Sequence, residues 1–186
     1  TEQERNNPHR GGYFFLALGL QRVTNVTRDR TRSPERYIGS SRYREDRSPV
    51  PQALTRAGMD GLLVDYRQAV ARADAAGFDL VELHMAHGYL LSEFLSPLTN
   101  VRDDAYGGSL ENRMRFPLEV LAAVREAVPS EIPVTVRVSA TDWVDDGWDL
   151  DQTLAFVRAV EARGCDGIDV SSGGLSPRQK IVLGPG

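Results

Sequence analysis

The chain has 186 residues, 41% of them apolar and 26% charged, which suits one domain with a moderate core. Its net charge of −4 gives no ground for a nucleic-acid or anionic-membrane partner. A single cysteine, Cys165, excludes an internal disulfide framework and fits a reducing cytoplasm.

The first apolar run, Tyr13 to Leu20, is far short of the ~20 residues that span a bilayer. Arg5 and Arg10 before it imitate a secretory signal, but Gln21, Arg22 and Val23 follow in place of a small-x-small cleavage site. A soluble, cytoplasmic protein is expected. From Arg28 to Arg47 the chain reads RDRTRSPERYIGSSRYREDR, with almost nothing to build a core. Residues 1–48 are therefore expected to form a poorly ordered Arg/Ser-rich arm, and residues 49–186 the folded part.

Regular structure is expected from Thr55 onward. Thr55 precedes a helix whose apolar positions Met59, Leu63, Tyr66, Val70 and Ala73 recur every three or four residues, and Gly77 suits a left-handed C-terminal cap. Phe78 to His84 reads as a strand. A long connection follows, to about Gly108. Ser109 is an N-cap for a second helix, with Glu111 in its first turn. Pro117 predicts a kink or restart there, and Leu118, Leu121, Val124 and Val128 form the apolar stripe beyond it. Val134 to Ser139 is a β-branched strand with an arginine inside it. Asp149 with Gln152 opens a third helix, for which Leu150, Leu154, Val157 and Val160 are the predicted buried face. Gly164 caps it, and Gly167 to Ser171 is the next strand.

Apolar strands joined by helical crossovers imply a parallel sheet, either doubly wound or closed into a (β/α)8 barrel. The polar residues His84, Ser139, Ser171 and Ser172 fall at the carboxyl ends of their strands, the edge at which both architectures bind ligands. No Gly-x-Gly-x-x-Gly fingerprint supports a Rossmann dinucleotide site.

Two imidazoles and a phenol, His84, His87 and Tyr89, converge within six residues after one strand. Neutral imidazoles can each donate an N–H to one electronegative atom and so polarise an electron-poor alkene, with a tyrosine hydroxyl as proton donor. A metal is the weaker reading, because His-x-x-His is not a helical zinc spacing and no further soft ligand lies near. A purely structural pair of histidines is the third. Arg137, among β-branched residues, needs an anionic ligand or a buried ion pair, for instance with Glu82. Ser171-Ser172-Gly173-Gly174 offers hydroxyls and backbone N–H groups to a ligand. The loop holding Asp142, Trp143, Asp145, Asp146 and Trp148 reads as solvated, and Cys165 as a small buried residue.

The segment His84 to Phe116, HMAHGYLLSEFLSPLTNVRDDAYGGSLENRMRF, resembles the signature of the Old Yellow Enzyme family, in the branch of thermophilic-like NADPH dehydrogenases and xenobiotic reductases. VRVSATDW and IDVSSGGLSP match later blocks in the right order, so the resemblance runs from about Ser48 to Gly186. It implies a (β/α)8 TIM-type barrel, present here as about strands four to six with their helices. It also implies non-covalent FMN, NAD(P)H as hydride donor and a small α,β-unsaturated substrate. Carried over by position, His84 and His87 hold the substrate's activating oxygen and Tyr89 is the catalytic proton donor. Arg137, Ser172 and Gly173 lie against the cofactor. The family's first three strands and its later phosphate-binding strands have no evident counterpart. A partial barrel is thus expected to bind FMN weakly and to be poorly stable alone, unless a second copy, as in a homo-oligomer, or other chain completes it. The alternative is a non-catalytic (β/α) fragment that only self-associates or completes a partner barrel.

Overall fold

The computed structural model describes Tyr13–Leu16 and residues 53–181. In chain order the elements are β1 (Tyr13–Leu16), α1 (Arg56–Ala75), β2 (Leu80–Met85), α2 (Leu90–Leu95), α3 (Leu110–Ala127), β3 (Val134–Ser139), α4 (Leu150–Glu161) and β4 (Gly167–Ser171). The strands pair in the order β1-β2-β3-β4, all parallel.

Local chemistry sets the helix ends as expected. Thr55, Ser109 and Asp149 each accept a hydrogen bond from the backbone N–H three residues on, at 3.1, 3.2 and 2.8 Å. Gly77 and Gly164 turn the chain at φ 81° and 80°, where a side chain would be strained. Pro117 does not restart the helix, since α3 runs unbroken from Leu110 to Ala127. The missing N–H costs one helical bond, and the flanking buried Phe116, Leu118, Val120 and Leu121 offset it.

Strand alternation separates two faces. Val81, Leu83, Met85, Val134, Val136 and Val138 are buried in one cluster with Met59, Tyr66 and Val70 of α1, Leu121 and Val124 of α3, and Phe156 and Val160 of α4. On the other face, register aligns Glu82 with Thr135 and Gly167, and His84 with Arg137 and Asp169. A sheet with helices on one side and a polar row on the other has the section of a barrel, whose polar row faces the interior.

Four sequence expectations are corrected here. Tyr13–Leu16 forms an edge strand paired with β2, although it lies in the segment expected to be a poorly ordered arm; the rest of residues 1–48 lies outside the described residues. The long connection after β2 contains a helix, α2, too short to show a period in sequence. The buried face of α4 is Thr153, Phe156 and Val160, whereas Leu150 and Leu154 are 62% and 54% exposed, so the apolar stripe read from the sequence is rotated from the packed one. The acidic loop after β3 is only partly solvated: Asp142 and Trp148 are buried. Among the described residues no helix is long and apolar enough to cross a membrane.

Candidate active site

The carboxyl ends of β2, β3 and β4 meet in one cluster. His84, the penultimate residue of β2, is buried; its ring lies 5.3 Å from that of His87 and 4.8 Å from that of Tyr89, centroid to centroid. His87 and Gly88 take φ of 59° and 75°, reversing the chain so that the second imidazole returns toward the first. Tyr89 then sits at the N-cap of α2 with about a third of its surface exposed. The three residues singled out by spacing therefore share one site.

Burial, with the neighbouring His87 and Arg137 adding to it, lowers the His84 pKa to about 4, while Asp169 opposes the shift. His87 is lowered for the same leading reason, burial, and then by Arg137. Both rings are neutral near pH 7 and keep an N–H donor. The folded pKa lies below the unfolded value of about 6.5, so as pH falls the unfolded chain takes up protons first and the fold loses stability between about pH 6.5 and about pH 4. His84→Gln is expected to shrink this loss, read as the urea midpoint at about pH 7 against about pH 4.5. Equal losses in the two proteins would contradict the burial of a neutral imidazole here.

Arg137 stands beside His84 in register and carries its ion pair on β4, with Asp169 at 3.4 Å, not with Glu82. Glu82 accepts instead from the Thr135 hydroxyl at 3.2 Å. The Nε of Arg137 is buried and has no hydrogen-bond partner among the described residues. A buried N–H donor without an acceptor is costly, and its place in the polar row fits a ligand that brings an acceptor atom. That is the feature by which this chain's residues fit a bound flavin.

The Ser171–Gly174 segment is partly committed. The Ser171 hydroxyl lies 2.6 Å from His87 Nε2, and Gly173 N–H donates to the Thr141 carbonyl at 2.8 Å. Gly174 N–H donates to Gln179 Oε1 at 2.8 Å. Gly173 is buried at φ 64° and Ser172 is exposed, so Gly173 contributes shape to the turn and Ser172 a side chain open to solvent.

Sequence reasoning passed over Asp169 and most of the polar scaffold. Ser96 donates to Asp142 at 2.6 Å, and Asp142 accepts from Trp148 N–H at 2.8 Å, joining the loops after β2 and β3. Burial raises the Asp142 pKa against these bonds. Asn100 donates to the Phe94 and Tyr106 carbonyls, and Arg113 to those of Leu95 and Gly108. Most polar residues of the His84–Phe116 segment beyond Tyr89 thus hold the loop.

A family profile described as NADH:flavin oxidoreductase / NADH oxidase matches residues 15–178. The chain belongs to this family. The match begins well before Ser48, where the resemblance read from sequence begins, and it includes part of β1. Relatives in this flavin oxidoreductase family include an NADH:flavin oxidoreductase of Gibberella zeae, 43% identical over 149 residues, covering 75% of this chain and 36% of that protein. An NADPH dehydrogenase of Bacillus velezensis is 46% identical over 139 residues, covering 75% and 40%. Among solved structures, morphinone reductase in complex with tetrahydroNAD superimposes with TM-score 0.60 at 38% identity, over 66% of this chain and 34% of that one. The old yellow enzyme homologue from Zymomonas mobilis gives TM-score 0.60 at 32% identity, over 66% and 35%. The chain spans well under half the length of these relatives, and its fold is a partial (β/α) barrel of the Old Yellow Enzyme type.

Proposed function

We propose that this segment supplies the substrate-facing part of an FMN-dependent NAD(P)H oxidoreductase that reduces activated, α,β-unsaturated alkenes. The observation that supports it best is the convergence of two neutral imidazoles and a phenol beside Arg137, whose buried Nε lacks an acceptor among the described residues. His84 and His87 donate N–H bonds to the carbonyl oxygen of the substrate and draw electron density from the conjugated alkene. Tyr89, about a third exposed and against His84, delivers the proton that the α-carbon needs. Arg137 holds the cofactor through its charge and its Nε donor, with Ser172 and Gly173 lining the same edge. FMN held there would supply the hydride that the β-carbon takes, with NAD(P)H as its source.

Binding of cyclohex-2-enone to the full chain, followed by NMR of its three histidines, tests the assignment. The enone is expected to shift the His84 and His87 ring resonances and not those of His9. His84→Ala with His87→Ala is expected to weaken binding about 10-fold or more. No response of either ring, or a response equal to that of His9, would overturn it.

A second reading, that the segment only self-associates or completes a partner barrel, draws on the exposed Leu150, Leu154 and Val170. A defined oligomer with no response to enone or FMN is its signature.

A further inference from the structure

His87 adopts a conformation that a residue with a side chain rarely takes. At φ 59° it lies in the left-handed region, and such a conformation persists where the surroundings impose it. Three contacts do so, and all come from other strand ends. Its backbone N–H donates to Ser139 Oγ at 3.0 Å, and its Nε2 lies 2.6 Å from Ser171 Oγ. Gly174 comes so near that a Cβ there would stand 2.9 Å from His87 Cα.

Ser139 has the central place. It is buried, ends β3 and shares the polar face with Arg137, two residues back. Its hydroxyl accepts from His87 on the β2 loop and donates to the Gly173 carbonyl on the β4 loop at 2.8 Å. Only a group that is donor and acceptor at once can make both bonds.

We propose that Ser139 is a positioning residue: its hydroxyl clamps the β2 and β4 loops together and thereby sets the backbone twist that aims the His87 imidazole into the site. The functional consequence rests on the proposed role of His87 in holding the substrate oxygen; the clamp itself does not.

The protein carries its own control. Thr153 Oγ1 makes the same kind of bridge, accepting from Trp148 Nε1 and donating to the Ala140 carbonyl, both at 2.7 Å, and among the described residues its hydroxyl bonds none of His87, Ser171 and Gly173. A merely structural buried hydroxyl is therefore represented by Thr153→Val.

The experiment uses the full chain with labelled imidazoles. Ser139→Ala is expected to move the His87 ring resonances and to shift its titration upward, toward the ordinary value of about 6.5, as the ring leaves its buried position. The other groups facing that ring, His84, Arg137, Asp169 and Ser171, are present in every variant. Cyclohex-2-enone binding is expected to fall about 10-fold in the same protein. Ser139→Thr keeps the wild-type titration and Ser139→Val loses it, a pair equal in shape that decides the matter if the alanine variant fails to fold. Thr153→Val lowers stability and leaves His87 in place. A His87 titration unchanged by loss of the Ser139 hydroxyl, or moved equally by Thr153→Val, would overturn the clamp. If the His87 ring moves in Ser139→Ala while the wild-type chain ignores the enone, the clamp stands and the alkene reading falls.

Discussion

Alanine at Arg137 is expected to lower affinity for FMN about 10- to 100-fold while changing folding stability by about 1 kcal/mol or less. The two effects separate because the guanidinium has two kinds of partner. Its ion pair with Asp169 is 3.4 Å long, with side chains 34% and 41% exposed, so solvent screens it and its loss costs little. Its Nε is buried without an acceptor among the described residues, a cost that the ring edge of the proposed flavin would relieve. Lysine at this position restores charge without the planar fork and is expected to recover only part of the affinity. Removing Arg137 also removes one of the causes that lower the pKa of His84 and His87, so both titrations move upward, with or without flavin. Flavin fluorescence titration and urea unfolding read the two quantities. Unchanged flavin affinity, with the imidazole titrations unmoved, would show that Arg137 does not face the ligand.

Phe116→Ala is expected to destabilise the fold by about 3–5 kcal/mol, a large part of the roughly 5–15 kcal/mol that holds a domain together. The Phe116 ring lies 4.7 Å from that of Phe94, and both are fully buried. This contact joins α3 to α2, the short helix that follows directly on His87 and Tyr89. Six residues of helix have no independent stability, so α2 depends on that packing and on the Asn100 bond to the Phe94 carbonyl. Loss of the ring is thus expected to loosen the site as well as the core. The urea midpoint measures the first effect and the His84 and His87 ring resonances the second. A loss of stability under about 1 kcal/mol would mean that α2 is anchored by other contacts.

Much of this arrangement is legible in the sequence because it is written locally. The caps at Thr55, Ser109 and Asp149 are single residues whose side chains reach three positions on, and the strands Val134–Ser139 and Gly167–Ser171 coincide with unbroken β-rich runs. The convergence of His84, His87 and Tyr89 follows from six consecutive positions. What fails is whatever depends on partners far along the chain. The Arg137–Asp169 pair is a matter of register between β3 and β4, and periodicity within a strand says nothing about register. Asp142 looks solvated among acidic neighbours until Ser96, far upstream, closes on it. In α4 two stripes fit a helical period, and packing buries the one with Thr153 and Phe156 instead of the one with Leu150 and Leu154. Tyr13–Leu16 is four residues in an arginine-rich stretch and acquires meaning only beside β2.

The most direct test of the central claim, that the polar row through His84 and Arg137 faces a flavin, is an equilibrium titration of FMN with the full chain and with its Arg137→Ala variant, followed by visible absorbance. The flavin bands are expected to shift on addition of the wild-type chain and to need about 10- to 100-fold more of the variant for the same shift. Bands that do not move with the wild-type chain, or that move equally with both, would contradict the account.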